Sequence, residues 1–355
     1  MSGVNYQNEI NSEYDLDAEK LLLFTLENDD IKLEITNLGC SIRAIYAPCK
    51  NGVKKNIVTG FSDLSDYKFN KDYFGCILGR FSNRIALGKF VLNGKQVSLS
   101  VNDGQNHLHG GFEGFNKKIW DVDSYTKADD QHCLILRYLS EAHEEGYPGN
   151  LQVSVKYLLN KKNQLVIEYR AETDSSTPVS LSNHSYFNLS GFENSDVLDH
   201  YLYINAEKYL EKNSKNLPTG KIVSVSNTPL DFLNVKKIGD DIDNISFDYG
   251  YDHDFVLNKN SSNEIVLAAT LKDIVSGRVL NIYTDQPVVH LYSANYLDGS
   301  IKGIHGYYKK HAAVALETQL FSDSPNHKNF PNSILEKGEK YLSTTIYEFC
   351  VENFK

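Results

Sequence analysis

Hydrophobic and polar residues alternate over short runs along most of the chain, and sustained helical periodicity is scarce. Each run has the length of a strand, and most are rich in β-branched or aromatic residues. The pattern predicts strands at 31–37, 89–92, 96–101, 133–139, 151–159, 164–173, 266–271, 279–284, 288–294 and 344–351.

Turn signals separate these runs. Asn93-Gly94 is the clearest, because both residues tolerate positive φ, and it predicts a type I′ hairpin between 89–92 and 96–101. No repeat, low-complexity tract or Pro/Gly/Ser linker divides the chain. We therefore predict an all-β fold with two or more packed antiparallel sheets, in one domain that spans 1–355. Residues 1–17 are expected to be a loose N-terminal arm.

The net charge of the chain excludes some classes of partner. The 355 residues include 36 Lys and Arg against 46 Asp and Glu, so the formal net charge is -10. An acidic surface repels phosphate backbones and anionic lipids, which argues against nucleic acid or a membrane as the main partner.

Cysteine usage indicates the compartment. The five cysteines are scattered and contain no CxxC pair, which is typical of free thiols in a reducing cytosol. The N-terminus has no basic and apolar signal-peptide pattern, and no apolar run reaches the roughly 20 residues of a membrane helix. We expect a cytoplasmic protein.

Five polar segments carry candidate chemistry. They are Gly-Arg-Phe-Ser-Asn-Arg-Ile at 79–85, Asn-His-Leu-His-Gly-Gly at 106–111, Ser-Asn-His-Ser-Tyr-Phe-Asn-Leu at 182–189, Tyr-Asp-His-Asp-Phe at 251–255 and Ala-Leu-Glu-Thr-Gln at 315–319. Dinucleotide-binding, P-loop, nucleophile-elbow and H-E-x-x-H motifs are missing from the sequence, so nicotinamide redox and P-loop chemistry lack support.

The histidine pair His107 and His109 invites a metal interpretation. In a strand the two side chains share a face, and Glu113 follows at the spacing of a cupin metal motif. The glycines that flank that motif and its second half are missing. A loop-end histidine hydrogen-bonded to backbone is the favoured alternative, and we expect no metal.

Glu317 and His184 are the candidates for acid–base chemistry. Glu317 follows a small apolar run at 312–316 that resembles a buried strand, and burial raises a carboxyl pKa into the range of a general acid or base. The alternative places Glu317 on the outer face of that strand. His184 is either such a catalytic group or a buried histidine whose nitrogens are satisfied by neighbours.

Three further residues, Asn83, Arg84 and Asp252, could form hydrogen bonds with the hydroxyl groups of a ligand. Asn83 and Arg84 can hold sugar hydroxyls or anions, although Arg84 taken alone is better explained as a surface cation or a salt-bridge partner. Asp252 can accept hydrogen bonds from hydroxyls, although a turn residue beside Gly250 is the simpler explanation.

Taken in order, these segments resemble the aldose 1-epimerase (galactose mutarotase) family. The likeness extends from Thr-Asn-Leu-Gly at 36–39 to the stretch 323–331 and covers nearly the whole chain from about residue 21. It implies a galactose mutarotase-like supersandwich, a single large β-sandwich. The implied activity is a cofactor-independent isomerase that interconverts the α and β anomers of free hexoses such as galactose and glucose. The implied protein is a monomer or homodimer.

The resemblance also implies residue roles. Glu317 matches the family's general base and His184 its general acid, and their proximity is expected to favour both charged forms. The sugar-binding positions fall on Asn83, Arg84, His109, Tyr186 and Asp252.

One position departs from the family pattern, which usually has glutamine where this chain has His290. His290 is expected to contact substrate and to alter sugar preference, unless it only packs in its strand. Two further functions remain open on the same fold, a non-catalytic sugar-binding or sensing protein and a hexose-phosphate mutarotase.

Overall fold

The computed structural model describes residues 12–16, 19–245 and 249–354. Within them the chain forms thirty strands, which we number in chain order: β1 Ser12–Leu16, β2 Glu19–Glu27, β3 Lys32–Thr36, β4 Ser41–Pro48, β5 Lys54–Asn56, β6 Ile77–Leu78, β7 Arg84–Ile85, β8 Lys89–Leu92, β9 Lys95–Ser98, β10 His107–Leu108, β11 Asp121–Ala128, β12 Gln131–Ser140, β13 Leu151–Asn160, β14 Gln164–Thr173, β15 Thr177–Pro178, β16 Ser182–Asn183, β17 Tyr186–Phe187, β18 Tyr201–Ile204, β19 Lys208–Lys212, β20 Pro218–Ser224, β21 Lys236–Lys237, β22 Asp252–Val256, β23 Val266–Asp273, β24 Arg278–Thr284, β25 Val288–Tyr292, β26 Asp298–Gly303, β27 Gly306–Lys309, β28 Val314–Gln319, β29 Ile334–Leu335 and β30 Lys340–Val351.

Helical structure in the described residues is limited to short 3₁₀ segments at Leu64–Phe69, Ala86–Gly88, Phe115–Lys117, Glu144–Gly146, Ile238–Asp240, Ile242–Asn244 and Ser324–Asn326. None of these segments has the length and apolar character that crossing a bilayer requires.

Three large sheets contain most of the strands. A nine-stranded sheet has the order β11-β12-β13-β14-β30-β24-β23-β18-β21, a six-stranded sheet the order β17-β28-β25-β22-β19-β20, and a five-stranded sheet runs from β1 to β5. Neighbouring strands within them are antiparallel. One hydrophobic core takes side chains from all three sheets, for example Ile35, Leu165 and Leu316. The prediction of a large antiparallel β-sandwich is confirmed.

The long predicted strands show the alternation of buried and exposed residues from which they were predicted. In β13 and β30 buried positions alternate with more exposed ones, because one face packs on the core and the other meets solvent. The predicted hairpin is confirmed, since Leu92 pairs with Lys95 and φ is 50° at Asn93 and 76° at Gly94. Strand ends differ from the predicted ones by a few residues.

The N-terminal arm is only partly within the described residues. Strand β1, inside the predicted loose arm, pairs antiparallel with β2 at the edge of the five-stranded sheet. Residues 1–11 and 17 lie outside the described residues.

The central strand of the site, β28, differs from the amphipathic strands because all six of its residues are buried. It lies between β17 and β25 in the six-stranded sheet. Val314 and Leu316 enter the large core, while Ala315 belongs to a second apolar cluster that includes Tyr186. Glu317 follows the alternation and shares a face with Ala315.

Arg80 fixes the segment that leads into the polar residues of the site. The side chain is 2 % exposed. Its guanidinium donates to the main-chain carbonyls of Ser140, Glu141, Pro148 and Gly149 over 2.8–3.0 Å. One buried cation thereby ties residues near position 80 to both ends of the connection between β12 and β13, which lies at least 60 residues away in sequence.

We predict that Arg80→Met lowers the free energy of unfolding by at least about 3 kcal/mol, because several buried carbonyls lose their donors at once. Urea denaturation measures this change. Arg170→Met is the matched control, since that side chain is 66 % exposed and pairs only with Glu168 among the described contacts. The control is expected to shift stability by no more than about 0.5 kcal/mol. Equal losses in the two variants would contradict the assignment.

Candidate active site

Glu317 lies at the centre of the site, and its side chain is 1 % exposed. On one edge of β28 it lies opposite His290 of β25, while β17 pairs with the other edge at Val314 and Ala315. Burial raises the pKa of Glu317 to about 8, with smaller contributions from neighbouring charges. The interpretation of Glu317 as an outward-facing residue is therefore excluded, and the prediction of a buried carboxyl with a raised pKa is confirmed.

His184 faces this carboxyl. Its Nε2 lies 3.4 Å from Oε1 of Glu317. The backbone of His184 is held at both ends, since its N–H donates to Cys76 and its carbonyl accepts from Gly75, both over 2.9 Å. Its ring stacks on Tyr186 with a centroid distance of 4.7 Å. Nδ1 has no hydrogen-bond partner among the described residues, so His184 is not a fully satisfied structural histidine.

The charge state of this pair differs from the expectation. Burial lowers the pKa of His184 to about 3, while it raises that of Glu317 to about 8. Between these values the pair holds one proton, on the carboxyl group, and both side chains are neutral. The expectation that proximity favours both charged forms is wrong, because loss of hydration outweighs attraction across 3.4 Å.

His109 is oriented by reciprocal bonds with Asn83. The N–H of Asn83 donates to Nδ1 of His109, and the N–H of His109 donates to the carbonyl of Asn83, both over 3.1 Å. Both residues have positive φ, 61° and 51°. Because Nδ1 is an acceptor, the neutral ring carries its proton on Nε2 and presents a donor. Burial also lowers the pKa of His109 well below its usual range.

The glycine after His109 is required by a close approach. A Cβ at Gly110 would lie 1.7 Å from the carbonyl oxygen of Gly79, and φ there is 92°. The chain can therefore turn away immediately after His109 only with glycine at this position.

His107 does not join its neighbour. Its Nε2 lies 2.7 Å from the hydroxyl of Tyr147 and its Nδ1 lies 2.7 Å from the carbonyl of Ser100. Since β10 ends at Leu108, His109 lies beyond the strand, and the two imidazoles have separate partners. His107 is a structural residue, as the alternative to the cupin motif proposed.

Arg84 is mostly buried, not a surface cation. Its Nε lies 2.8 Å from Oδ2 of Asp103, and its Nη1 lies 3.9 Å from Oδ2 of Asp252. Although burial opposes the charge, these two carboxylates raise the pKa of Arg84 above its usual value. The guanidinium is thus charged and compensated.

His290 is clamped between two carboxylates of the adjacent strand β22. Its Nδ1 lies 2.6 Å from Oδ1 of Asp254 and its Nε2 lies 2.9 Å from Oδ1 of Asp252. Burial opposes protonation, yet hydrogen bonds to both carboxylates raise the pKa of His290 to about 10. The position therefore holds an imidazolium, and neither ring nitrogen is without a protein partner.

All eight sequence-predicted residues line one pocket of about 160 Å³, and the structure brings together Asn83, Arg84, His109, His184, Tyr186, Asp252, His290 and Glu317. This volume is below the range of about 300–1,000 Å³ typical of sites for drug-sized ligands, which favours a small substrate. A larger hollow of about 380 Å³ lies beside Arg278, whose guanidinium is occupied by main-chain carbonyls. The candidate site is therefore chosen by the polar groups that converge in it, not by its volume.

Sequence reasoning missed six of the lining residues, which are Lys71, Asp72, Tyr73, Leu108, Tyr292 and Tyr296. It also missed Asp254 as a partner of His290. The alternation of β22 was the available signal for Asp254, because residues 252 and 254 of one strand share a face.

A ring nitrogen of His109, a ring nitrogen of His184 and a carboxylate oxygen of Glu317 lie within 4.8 Å of one another. Two imidazoles and one carboxylate form a donor set that catalytic zinc sites also use. The same three groups equally form an acid–base constellation, so the two possibilities are separated by a chelator, as described below.

Comparison with known proteins shows the family. The family model described as aldose 1-epimerase matches residues 22–348. Galactose mutarotase from Mus musculus is 40% identical over 329 residues, which cover 92% of this chain and 94% of that protein. Aldose 1-epimerase from Escherichia coli (strain K12) is 33% identical over 342 residues, with coverage of 95% and 97%.

A solved structure gives the same result for the fold. The GalM/aldose epimerase homologue from C. elegans superposes with a TM-score of 0.86 at 29% identity, covering 93% of this chain and 99% of that one. The resemblance predicted from the ordered motifs is confirmed along nearly the whole sequence. The chain therefore belongs to the aldose 1-epimerase family.

Proposed function

We propose that this protein is an aldose 1-epimerase that interconverts the α and β anomers of free hexoses such as galactose and glucose. The observation that carries the proposal is the pairing of Glu317 with His184 at 3.4 Å in a small polar pocket. The names of the relatives from mouse and E. coli support it.

In the proposed reaction the pair moves two protons on one substrate. Glu317 takes the proton of the C1 hydroxyl, and His184 gives a proton to the ring oxygen as the C1–O bond breaks. The open-chain aldehyde rotates about C1–C2, and attack of the hydroxyl on either face closes the ring. The two residues exchange roles during closure.

The neutral state of the pair is compatible with this reaction. The charged form, a carboxylate beside an imidazolium, contains the same single shared proton and differs only in its position. A sugar hydroxyl that donates to Glu317 stabilises the carboxylate. Substrate binding is thus proposed to shift the proton from Glu317 to His184 and to prepare both groups.

The remaining lining residues are proposed to hold the sugar. His109, with its proton on Nε2, and the Arg84 guanidinium are placed to stabilise charge that develops on the ring oxygen. Asn83 and Asp252 offer donors and acceptors to hydroxyls, and Tyr186 offers an aromatic face. His290 acts mainly through Asp252, because its ring nitrogens are already engaged.

The charge distribution favours a free aldose over a hexose phosphate. The two buried cations, Arg84 and His290, are each already paired with carboxylates, and a phosphate group would have to displace those partners. The third lining cation, Lys71, is exposed, so a single solvated ammonium group is left to bind a phosphate. No cofactor is invoked for the reaction.

We further propose that residues 1–355 act as one domain, as a monomer or homodimer in the cytoplasm. The matched region, which extends over residues 22–348, supports the single domain. The five cysteines are all free thiols, which supports a reducing compartment.

The first test is polarimetry of freshly dissolved α-D-galactose in the presence of a chelator. Wild type is expected to accelerate the approach to anomeric equilibrium, and Glu317→Gln is expected to reduce kcat by at least about 100-fold, because the amide cannot accept the C1 proton. Glu172→Gln, which changes an exposed side chain, is the matched control and should match wild type.

Loss of wild-type activity in chelator would favour the metal interpretation of the His109–His184–Glu317 cluster. No acceleration for galactose, glucose or other aldoses would instead support a sugar-binding protein.

The pH dependence of kcat/KM follows from the two shifted groups. Below about pH 3 His184 becomes protonated while Glu317 is still protonated, so the pair has no base. Above about pH 8 Glu317 loses its proton while His184 is neutral, so the pair has no shared proton. We expect a bell-shaped profile with limbs near these values, measured by polarimetry across pH. An acid limb without an alkaline limb, up to the pH at which the protein unfolds, would contradict His184 as the acid.

His290→Gln removes the imidazolium between the two carboxylates. Its charge lowers the pKa of both Glu317 and His184, although burial is the larger cause for each group. Both limbs of the profile should therefore move to higher pH, by roughly one unit. His143→Gln, at an exposed position, is the control.

The sequence-based expectation that His290 affects sugar preference is checked with the same variant on galactose, glucose and a third aldose. Unchanged limbs together with unchanged kinetics on all three sugars would limit His290 to packing.

A further inference from the structure

Asp72 is a polar group of the pocket that the proposed reaction leaves unused. It lines the same cavity as Glu317 and His184, and the residue is half-buried. Oδ2 of Asp72 is buried and accepts no hydrogen bond from any described residue. A buried acceptor without a donor is costly, so native structures rarely leave one unless a ligand supplies the donor.

The loop that carries Asp72 is firmly built. Asn70 is fully buried, and its side-chain amide exchanges two hydrogen bonds with the backbone of Phe74, of 2.8 and 3.0 Å. The N–H of Gly75 then donates to the carbonyl of His184 over 2.9 Å. Asp72 is therefore held in a fixed relation to the acid–base pair.

The neighbouring residue extends this connection. Tyr73 has φ of 60°, and its ring contacts His109 edge-on at 4.6 Å and stacks near His184 at 6.0 Å. A tight turn thus presents one aromatic ring and one carboxyl to the pocket. The loop 70–75 forms part of the wall of the site.

The charged residues near Asp72 affect its pKa without forming an ion pair with its carboxyl group among the described contacts. Burial raises the pKa of Asp72, the charge of Lys71 lowers it and that of Asp298 raises it, but no ion pair is formed with Asp72 among the described contacts. Lys71 and Asp298 are both exposed. The carboxyl is thus available to a donor that enters the pocket.

Asp72 shares the cavity with the reacting groups but does not contact them. Asp72, His184 and Glu317 all line it, yet no hydrogen bond or ion pair joins Asp72 to either of the other two among the described contacts. Because the cavity is only about 160 Å³, a sugar with C1 at Glu317 also has its other hydroxyls within it, where one of them can reach Asp72.

We propose that Asp72 binds substrate by accepting a hydrogen bond from one aldose hydroxyl other than that on C1, and that it thereby determines which aldoses the enzyme accepts. The inference rests on the proposed epimerase function. A charge-assisted bond of this kind adds affinity, and a site that contains it rejects sugars that lack the hydroxyl, since its acceptor then stays unpaired.

Two variants test the proposal by polarimetry. Asp72→Ala and Asp72→Asn are expected to raise KM for galactose by roughly ten- to a hundredfold and to leave kcat within a few-fold of wild type. Asp298→Asn is the matched control, because it removes a nearby exposed charge outside the pocket lining. The control is expected to keep wild-type KM and kcat.

A series of 2-, 3-, 4- and 6-deoxygalactose identifies the hydroxyl. For one member the penalty of Asp72→Ala should vanish, since the bond is already lost, and for the others it should persist. Wild-type KM of the Asp72 variants on every sugar, or an equal rise in KM on all four deoxy sugars, would overturn the inference about Asp72 but not the proposed function. Wild type that accelerates no aldose overturns the proposed function as well.

Discussion

The removal of Glu317 and His184 from water is the constraint on which the site depends. Both side chains are almost fully buried, so each ionised form loses hydration that the other cannot replace at 3.4 Å. Strand β28, which carries Glu317, is buried along all six residues and pairs with β25 directly opposite the carboxyl. Between about pH 3 and about pH 8 the pair holds one titratable proton, which is the state that the proposed ring opening uses.

Other buried groups of the pocket stay ionised instead of becoming neutral. Arg84 and His290 keep their charges because carboxylates lie within 2.6–3.9 Å of them. A compensated ionic network therefore borders a neutral acid–base pair. The separation follows from strand order, since β22 and β25 are neighbours and bring Asp252, Asp254 and His290 together.

The amino-acid sequence predicts features that depend on local pattern. Alternation predicts most of the long strands, Asn93-Gly94 predicts its hairpin, and the apolar run before Glu317 predicts its burial. Ordered motifs locate all eight predicted lining residues through a family resemblance. Asp72 was missed because its approach to the site depends on packing of the loop 70–75 against His184, over a distance of more than 100 residues. The charge state of the pair was mispredicted because spacing conveys proximity but not loss of hydration.

Complete burial of β28 affects which local unfolding events can reach the pocket. Edge strands such as β1 and β20 can separate from their single neighbours without disturbing the middle of a sheet. In β28, residues 315–319 pair with β25 along one edge, and Val314 and Ala315 pair with β17 along the other. Both faces of the strand are buried, so the amide protons in these hydrogen bonds exchange with solvent only through openings larger than the fraying of a peripheral strand. Local opening at β1 or β20 therefore leaves Glu317 in register with His290 of β25.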